Sequence, residues 1–148
     1  MAWITPIYDR TLHDVQYAQA NRHSAIANKG ARNHTDLNRI TGNIEYLRNM
    51  LIAGGINVPA QQSKLIWANM AIEPESDIDK IRIDLNALKA AFPAVNVMTP
   101  PTPALPYTRY DKMNDIEKIT FDIKYLYELM QEEKIFTGEI YTGESDWN

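Results

Sequence analysis

The chain of 148 residues has no cysteine, three histidines, six glycines and four serines. Without cysteine there can be no disulfide framework, no thiolate nucleophile and no Cys-ligated zinc or iron–sulfur centre. His13, His23 and His34 stand ten and eleven residues apart, whereas zinc ligands usually come from closer pairs. They read as surface or capping histidines. Ser24, Ser63, Ser76 and Ser145 lie outside any nucleophile-elbow context. Gly54-Gly55 is the only glycine pair, and no glycine-rich loop precedes a Lys-Ser/Thr, so no phosphate cradle is visible. Asp77, Asp79 and Asp84 lack the glycine that a calcium loop needs for its sharp turn. Glu132-Glu133 reads as solvated helix surface. No apolar run approaches ~18 residues, and the opening Met-Ala-Trp-Ile-Thr-Pro has no basic region, so neither a membrane span nor a signal peptide is expected. Lysine and arginine (15) are outnumbered by acidic residues (19), which argues against binding by phosphate neutralisation. No catalytic, cofactor or metal residues are predicted, and neither a nucleic acid nor a membrane is an expected partner. The chain reads as a non-enzyme.

What is present is ordered and periodic. Apolar residues make up 45% and charged residues 23% of the chain, an ordinary composition for one globular domain spanning 1–148. Charge is uneven: residues 1–50 carry net +2, residues 51–110 balance, and residues 111–148 carry net −6. Asp36-Leu37-Asn38-Arg39-Ile40-Thr41-Gly42-Asn43-Ile44-Glu45-Tyr46-Leu47 aligns with Asp115-Ile116-Glu117-Lys118-Ile119-Thr120-Phe121-Asp122-Ile123-Lys124-Tyr125-Leu126. A weaker copy, Asp77 to Leu88, lies between them. The pattern is that of a threefold internal repeat.

Each copy predicts a helix, over 35–52, 76–92 and 114–134, with Thr35, Ser76 and Asn114 as N-caps. Gly54-Gly55 and Pro93 mark the first two ends. The apolar stripes fall at heptad a and d positions: Leu37, Ile40, Ile44 and Leu47; Ile78, Ile81, Leu85 and Leu88; Ile116, Ile119, Ile123 and Leu126. The predicted fold is all-α, a three-helix bundle with extended, proline-containing connections and arms. Arg39, Lys80 and Lys118 precede Asn43, Asp84 and Asp122 by four residues, where weak surface pairs are expected. Connections of more than 20 residues permit a parallel bundle, since antiparallel neighbours need only ~2–8. The first connection is predicted to form a short helix within Gln61–Met70. The second contains Thr99-Pro100-Pro101-Thr102-Pro103-Ala104-Leu105-Pro106, which must be extended.

Residues 1–34 read as an arm and a short helix from Thr11 through Ala20, with Leu12, Val15 and Ala18 facing the core. Residues 135–148 read as an extended tail. Trp3, Ile4, Pro6 and Tyr8 at one end, and Tyr141 and Trp147 at the other, are large side chains outside the periodic helices. Such side chains are typical anchors for a partner, and they are the predicted docking residues on a neighbouring subunit.

The segments Trp3-Ile4-Thr5-Pro6…Asp9-Arg10-Thr11…Asp14-Val15-Gln16-Tyr17-Ala18 and Asp36-Leu37-Asn38-Arg39-Ile40…Asn43-Ile44-Glu45-Tyr46-Leu47 resemble small proteins and N-terminal modules of tailed phages and prophages of Gram-positive bacteria. The resemblance covers about the first 50 residues. It implies a tail, baseplate or related virion structural component, assembled in the host cytoplasm, with other virion proteins as partners and self-association in a symmetric assembly. It implies no catalytic residues. The chain departs from the commonest form at Pro6-Ile7-Tyr8-Asp9. Two other readings stand beside it. One is a cytoplasmic helical module that binds or regulates a protein through its grooves. The other is a carbohydrate-binding fibre component with Trp3, Trp67 and Trp147 as stacking platforms.

Overall fold

The structure, a computed structural model, describes residues 2–20, 34–68, 73–107 and 109–141, with side chains as far as Glu133. Among these residues there are four α-helices and no strand: α1 (Leu12–Ala20), α2 (His34–Ala53), α3 (Glu75–Ala91) and α4 (Tyr110–Tyr141). A short 3-10 turn, Pro93–Val97, follows α3.

Local chemistry explains the boundaries. At α1, the Thr11 hydroxyl accepts the Asp14 N–H (3.2 Å) and the Asp14 carboxylate accepts the Thr11 N–H (2.9 Å). This reciprocal pair is a capping box. At the end of α2, Gly55 adopts φ +89°, and Ile56 N–H reaches back to the Leu51 carbonyl (2.9 Å). That left-handed position favours glycine and closes the last turn. Pro93 has no N–H to continue α3, so the chain tightens into the 3-10 turn.

The predicted N-caps require correction. The cap of α3 is Pro74, whose carbonyl accepts Asp77 N–H (3.0 Å), and Ser76 lies inside the first turn. Thr35 is inside α2. Helix α4 begins at Tyr110, a full turn before Asn114, which frees the Asn114 side chain for the arm described below. The alignment placed each helix start from side-chain type alone, but a proline carbonyl and a longer first turn serve as well. Helix α4 also runs to Tyr141, so residues 135–141, expected in an extended tail, are helical.

Helices α2, α3 and α4 each contact the other two. One core cluster joins Leu37, Ile40, Ile44, Leu47 and Leu51 with Ile78, Ile81, Leu85, Leu88 and Phe92, and with Ile116, Ile119 and Ile123. Leu126 is half-buried against this cluster. The three helices run in the same direction. Arg39 and Glu117 pair near the starts of α2 and α4 (2.6 Å). At the other end Tyr127 of α4 meets Phe92 after α3 (ring centroids 5.7 Å) and closes over Gly54 after α2. Parallel neighbours require long returns, and each connection runs back along a groove.

Those returns are not helical where they matter. Residues 61–68 form no helix, against the expectation for Gln61–Met70, whose last two residues lie outside the described residues. Asp84 and Asn38 take the backbone N–H groups of Gln62, Ser63 and Trp67, and hold the segment extended. Within α1, Ala18 is buried and Val15 half-buried, but Leu12 is 57% exposed rather than facing the core.

Candidate functional site

The most elaborate polar construction in the molecule holds the N-terminal arm. Residues 3–10 lie between α2 and α4, with the peptide groups of Ile4, Ile7 and Arg10 paired to side chains. Asn43 of α2 accepts the Ile4 N–H (2.9 Å) and donates to the Ile4 carbonyl (2.7 Å). Asn114 of α4 does the same for Arg10, at 3.0 and 2.8 Å. Between them the Glu117 carboxylate accepts the Ile7 N–H (3.0 Å). A primary amide offers a donor and an acceptor side by side, so each asparagine substitutes for a neighbouring strand.

The centre of the lock is a buried four-charge cluster. Arg10 donates to Glu117 (2.6 Å) and Asp36 (3.3 Å), and its other terminal nitrogen donates to the Ile7 carbonyl (2.7 Å). Arg39 donates through Nε and a terminal nitrogen to Glu117 (2.6 and 2.7 Å), and to Asp36 (2.6 Å). Among the described residues two guanidinium groups face two carboxylates. Burial alone would lower the Arg39 pKa. The hydrogen bonds and charges of Glu117 and then Asp36 outweigh it and hold the guanidinium above its ordinary value. Ions this deep cost several kcal/mol each to desolvate, and only their mutual pairing offsets that.

These residues correct the expected surface pairs. Arg39, Asn43, Asp84 and Asp122 are buried, and of the three expected pairs Lys118–Asp122 forms (2.7 Å), while Lys80 meets Asp77 and Arg39 meets Asp36 and Glu117 instead. Sequence reading missed Arg10, Asp36 and Glu117 as well.

The predicted docking residues divide. Trp3 is half-buried on Tyr46 (ring centroids 5.4 Å) and Pro6 is buried, so the arm packs on its own chain. Ile4 and Tyr8 still face outward at 51% and 37% exposure. Tyr8 meets Phe121 (5.2 Å), which stacks on the half-exposed Tyr125 at 7° between planes. Lys118 lies over Tyr8 and Phe121, and Lys124 over Trp3 and Tyr46. The docked arm thus builds a continuous aromatic strip with α4. The side chain of Tyr141 and the whole of Trp147 lie outside the described residues. Trp67 is no stacking platform: it is 2% exposed, and its indole N–H donates to the Thr41 hydroxyl (3.2 Å).

A groove of about 450 Å³ between α2 and the following connection is lined by Glu45, Arg48, Gln61, Ser63, Lys64, Leu65 and Ile66. The Ser63 hydroxyl donates to Asp84, and no histidine lines the groove to act as its base. Among the described residues no group of three His, Asp or Glu side chains is arranged to hold a metal ion. No described helix is long and apolar enough to cross a membrane. Comparison of the chain with protein-family models, curated proteins and solved structures finds no match.

Proposed function

We propose that this chain is a non-enzymatic structural adaptor of a virion, in a phage tail tip, baseplate or related assembly, and that its α2–α4 face meets other virion proteins. One observation carries the reading. Four buried charged side chains, Arg10, Asp36, Arg39 and Glu117, meet at an extended arm, and the fixed arm presents Tyr8 against Phe121, which stacks on Tyr125, with Ile4 exposed. Aromatic anchors held rigid before contact lose little entropy on binding, which suits a permanent joint.

The same reading takes the three long helices as copies of one ancestral unit. Support comes from Asn43 and Asp84, which occupy equivalent places in the alignment. Both accept backbone N–H groups of an extended segment that precedes their own helix in the chain, with α1 between Ile4 and α2 in the first case. Ile44, Leu85 and Ile123, also equivalent, are buried in one core.

The test is to purify particles from a host strain expressing the tagged chain and to locate the tag by immuno-electron microscopy. Labelling at the tail supports the adaptor reading, and absence of the chain from washed particles rejects it. The double variant Tyr8→Glu/Tyr125→Glu should fold normally yet fail to enter particles.

A further inference from the structure

We infer that the groove between α3 and α4 is a binding site for a monovalent metal cation, held by the Asp122 carboxylate and the hydroxyls of Thr99 and Thr102, which clips the proline-rich connection to α4. The inference is independent of the adaptor reading.

Three buried side-chain polar atoms among the described residues have no hydrogen-bond partner: Asp122 Oδ2, Thr99 Oγ1 and Thr102 Oγ1. Buried polar groups are paired in the great majority of cases, so such atoms point to a ligand. These three are not scattered. Thr99 and Thr102 belong to the segment that Lys89 ties to α3 through the Pro100 carbonyl (2.7 Å) and Lys112 ties to α4 through the Ala104 carbonyl (2.8 Å). Asp122 faces the same segment. Glu117 and Phe121 occupy the side of α4 that meets the arm, and Ile119 and Ile123 the side that meets the core. At roughly 100° per residue, Asp122 falls on the remaining side, between Phe121 and Ile123. It is nevertheless fully buried, and the connection from α3 is what runs along that side.

The two carboxylate oxygens are used unequally. Oδ1 accepts from Lys118 Nζ (2.7 Å), which leans over Tyr8 and Phe121 towards the arm. Oδ2 meets no donor. The segment is a poor source of one: Pro100, Pro101 and Pro103 have no N–H, and the Thr99 N–H is spent on the Val95 carbonyl (3.1 Å). What the groove collects is a carboxylate oxygen, two hydroxyl oxygens and a run of carbonyls. Those are the donors that hard cations take. One carboxylate, already shared with a lysine, matches a single positive charge. A divalent ion draws on more acidic ligands, and the described residues hold no group of three. Asp84 holds its segment directly, through the N–H groups of Gln62 and Ser63. A cation lets Asp122 hold a segment that is short of N–H groups.

The experiment follows thermal unfolding of the full-length chain by circular dichroism, in choline, sodium or potassium chloride at one fixed ionic strength. Choline is too bulky for the groove. Sodium or potassium should raise the midpoint by about 3 °C or more over choline, and Asp122→Asn and Thr102→Val should each lose that difference. Crystals soaked in thallous acetate should show an anomalous peak beside Asp122 Oδ2. Equal midpoints in all three salts, a difference that both variants retain, or a water molecule alone beside Asp122 Oδ2 overturns the inference. If Asp122→Asn does not fold, Thr102→Val, which keeps the carboxylate, gives the same reading.

Discussion

Two of the grooves along this bundle hold an extended segment by different chemistry. In the α2–α3 groove side chains take the segment's N–H groups as well as its carbonyls. Asp84 takes the N–H groups of Gln62 and Ser63 at 2.8 Å each and Asn38 takes that of Trp67 (2.7 Å), while Arg48 and Thr41 donate to the carbonyls of Pro59 and Leu65. Along the segment leading from α3 to α4 the side chains donate: Lys89 to the Pro100 carbonyl (2.7 Å), Lys112 to that of Ala104 (2.8 Å), and Tyr107 to that of Pro103 (2.8 Å). Proline causes the difference. Pro100, Pro101, Pro103 and Pro106 have no N–H, so this segment offers carbonyls and few donors. Asp122, aligned with Asp84, is fully buried, and its Oδ2 has no hydrogen-bond partner. An acceptor that organises one segment is left half-used where the other supplies carbonyls.

The arm's own lock is the extreme of the accepting kind and gives the largest expected effect. Arg10→Ala leaves Asp36 and Glu117 short of a buried partner and should cost about 3–5 kcal/mol, read from urea denaturation. Asp84→Ala removes one carboxylate shared by two N–H groups and the Ser63 hydroxyl. A loss of about 3 kcal/mol is expected, with faster amide exchange at Gln62 and Ser63.

On the donating side, Tyr107 is 1% exposed, and burial, aided by Asp79 and opposed by Arg82, pushes its hydroxyl up to about 12. The folded state therefore holds this proton more tightly than the unfolded chain. Its contribution is complete below pH 10 and is lost as the pH rises towards 12, at up to about 3 kcal/mol. Tyr107→Phe should flatten that alkaline slope while losing about 1 kcal/mol at pH 7 with the Pro103 bond. The smallest effect sharpens the contrast: Asp122→Asn should change stability by less than about 1 kcal/mol. If it costs as much as Asp84→Ala, the two sites do equivalent work and the contrast fails.

The helices were legible because a stripe at 3.5-residue spacing needs only local reading: Ile40, Ile44, Ile81, Leu85, Ile119 and Ile123 all lie in the core. The lock was not legible, because Arg10 and Glu117 are 107 positions apart and no local spacing relates them. Arg39 read as a surface residue because the rule of four looks towards Asn43. Its true partners are Asp36, three residues back, and Glu117 on another helix. The caps failed for a related reason: Asn114 has a capping side chain, but a distant backbone uses it. The proline run was the exception. Its shortage of N–H groups is written in the sequence and already implies that donors, not acceptors, would have to hold it.

Tyr127 marks where α2 and α3 stop. A methyl group at Gly54 would sit 1.7 Å from its hydroxyl, so this ring seals the end of the bundle. Helix α4 does not stop there. Residues 128–141 continue it by roughly 20 Å. The two ends of the described bundle therefore differ: the Arg10 end of the arm lies by the starts of α2 and α4, and at the other end α4 continues past its neighbours. An object so shaped cannot be turned end for end without notice, and any array built from it inherits a direction from the single protomer.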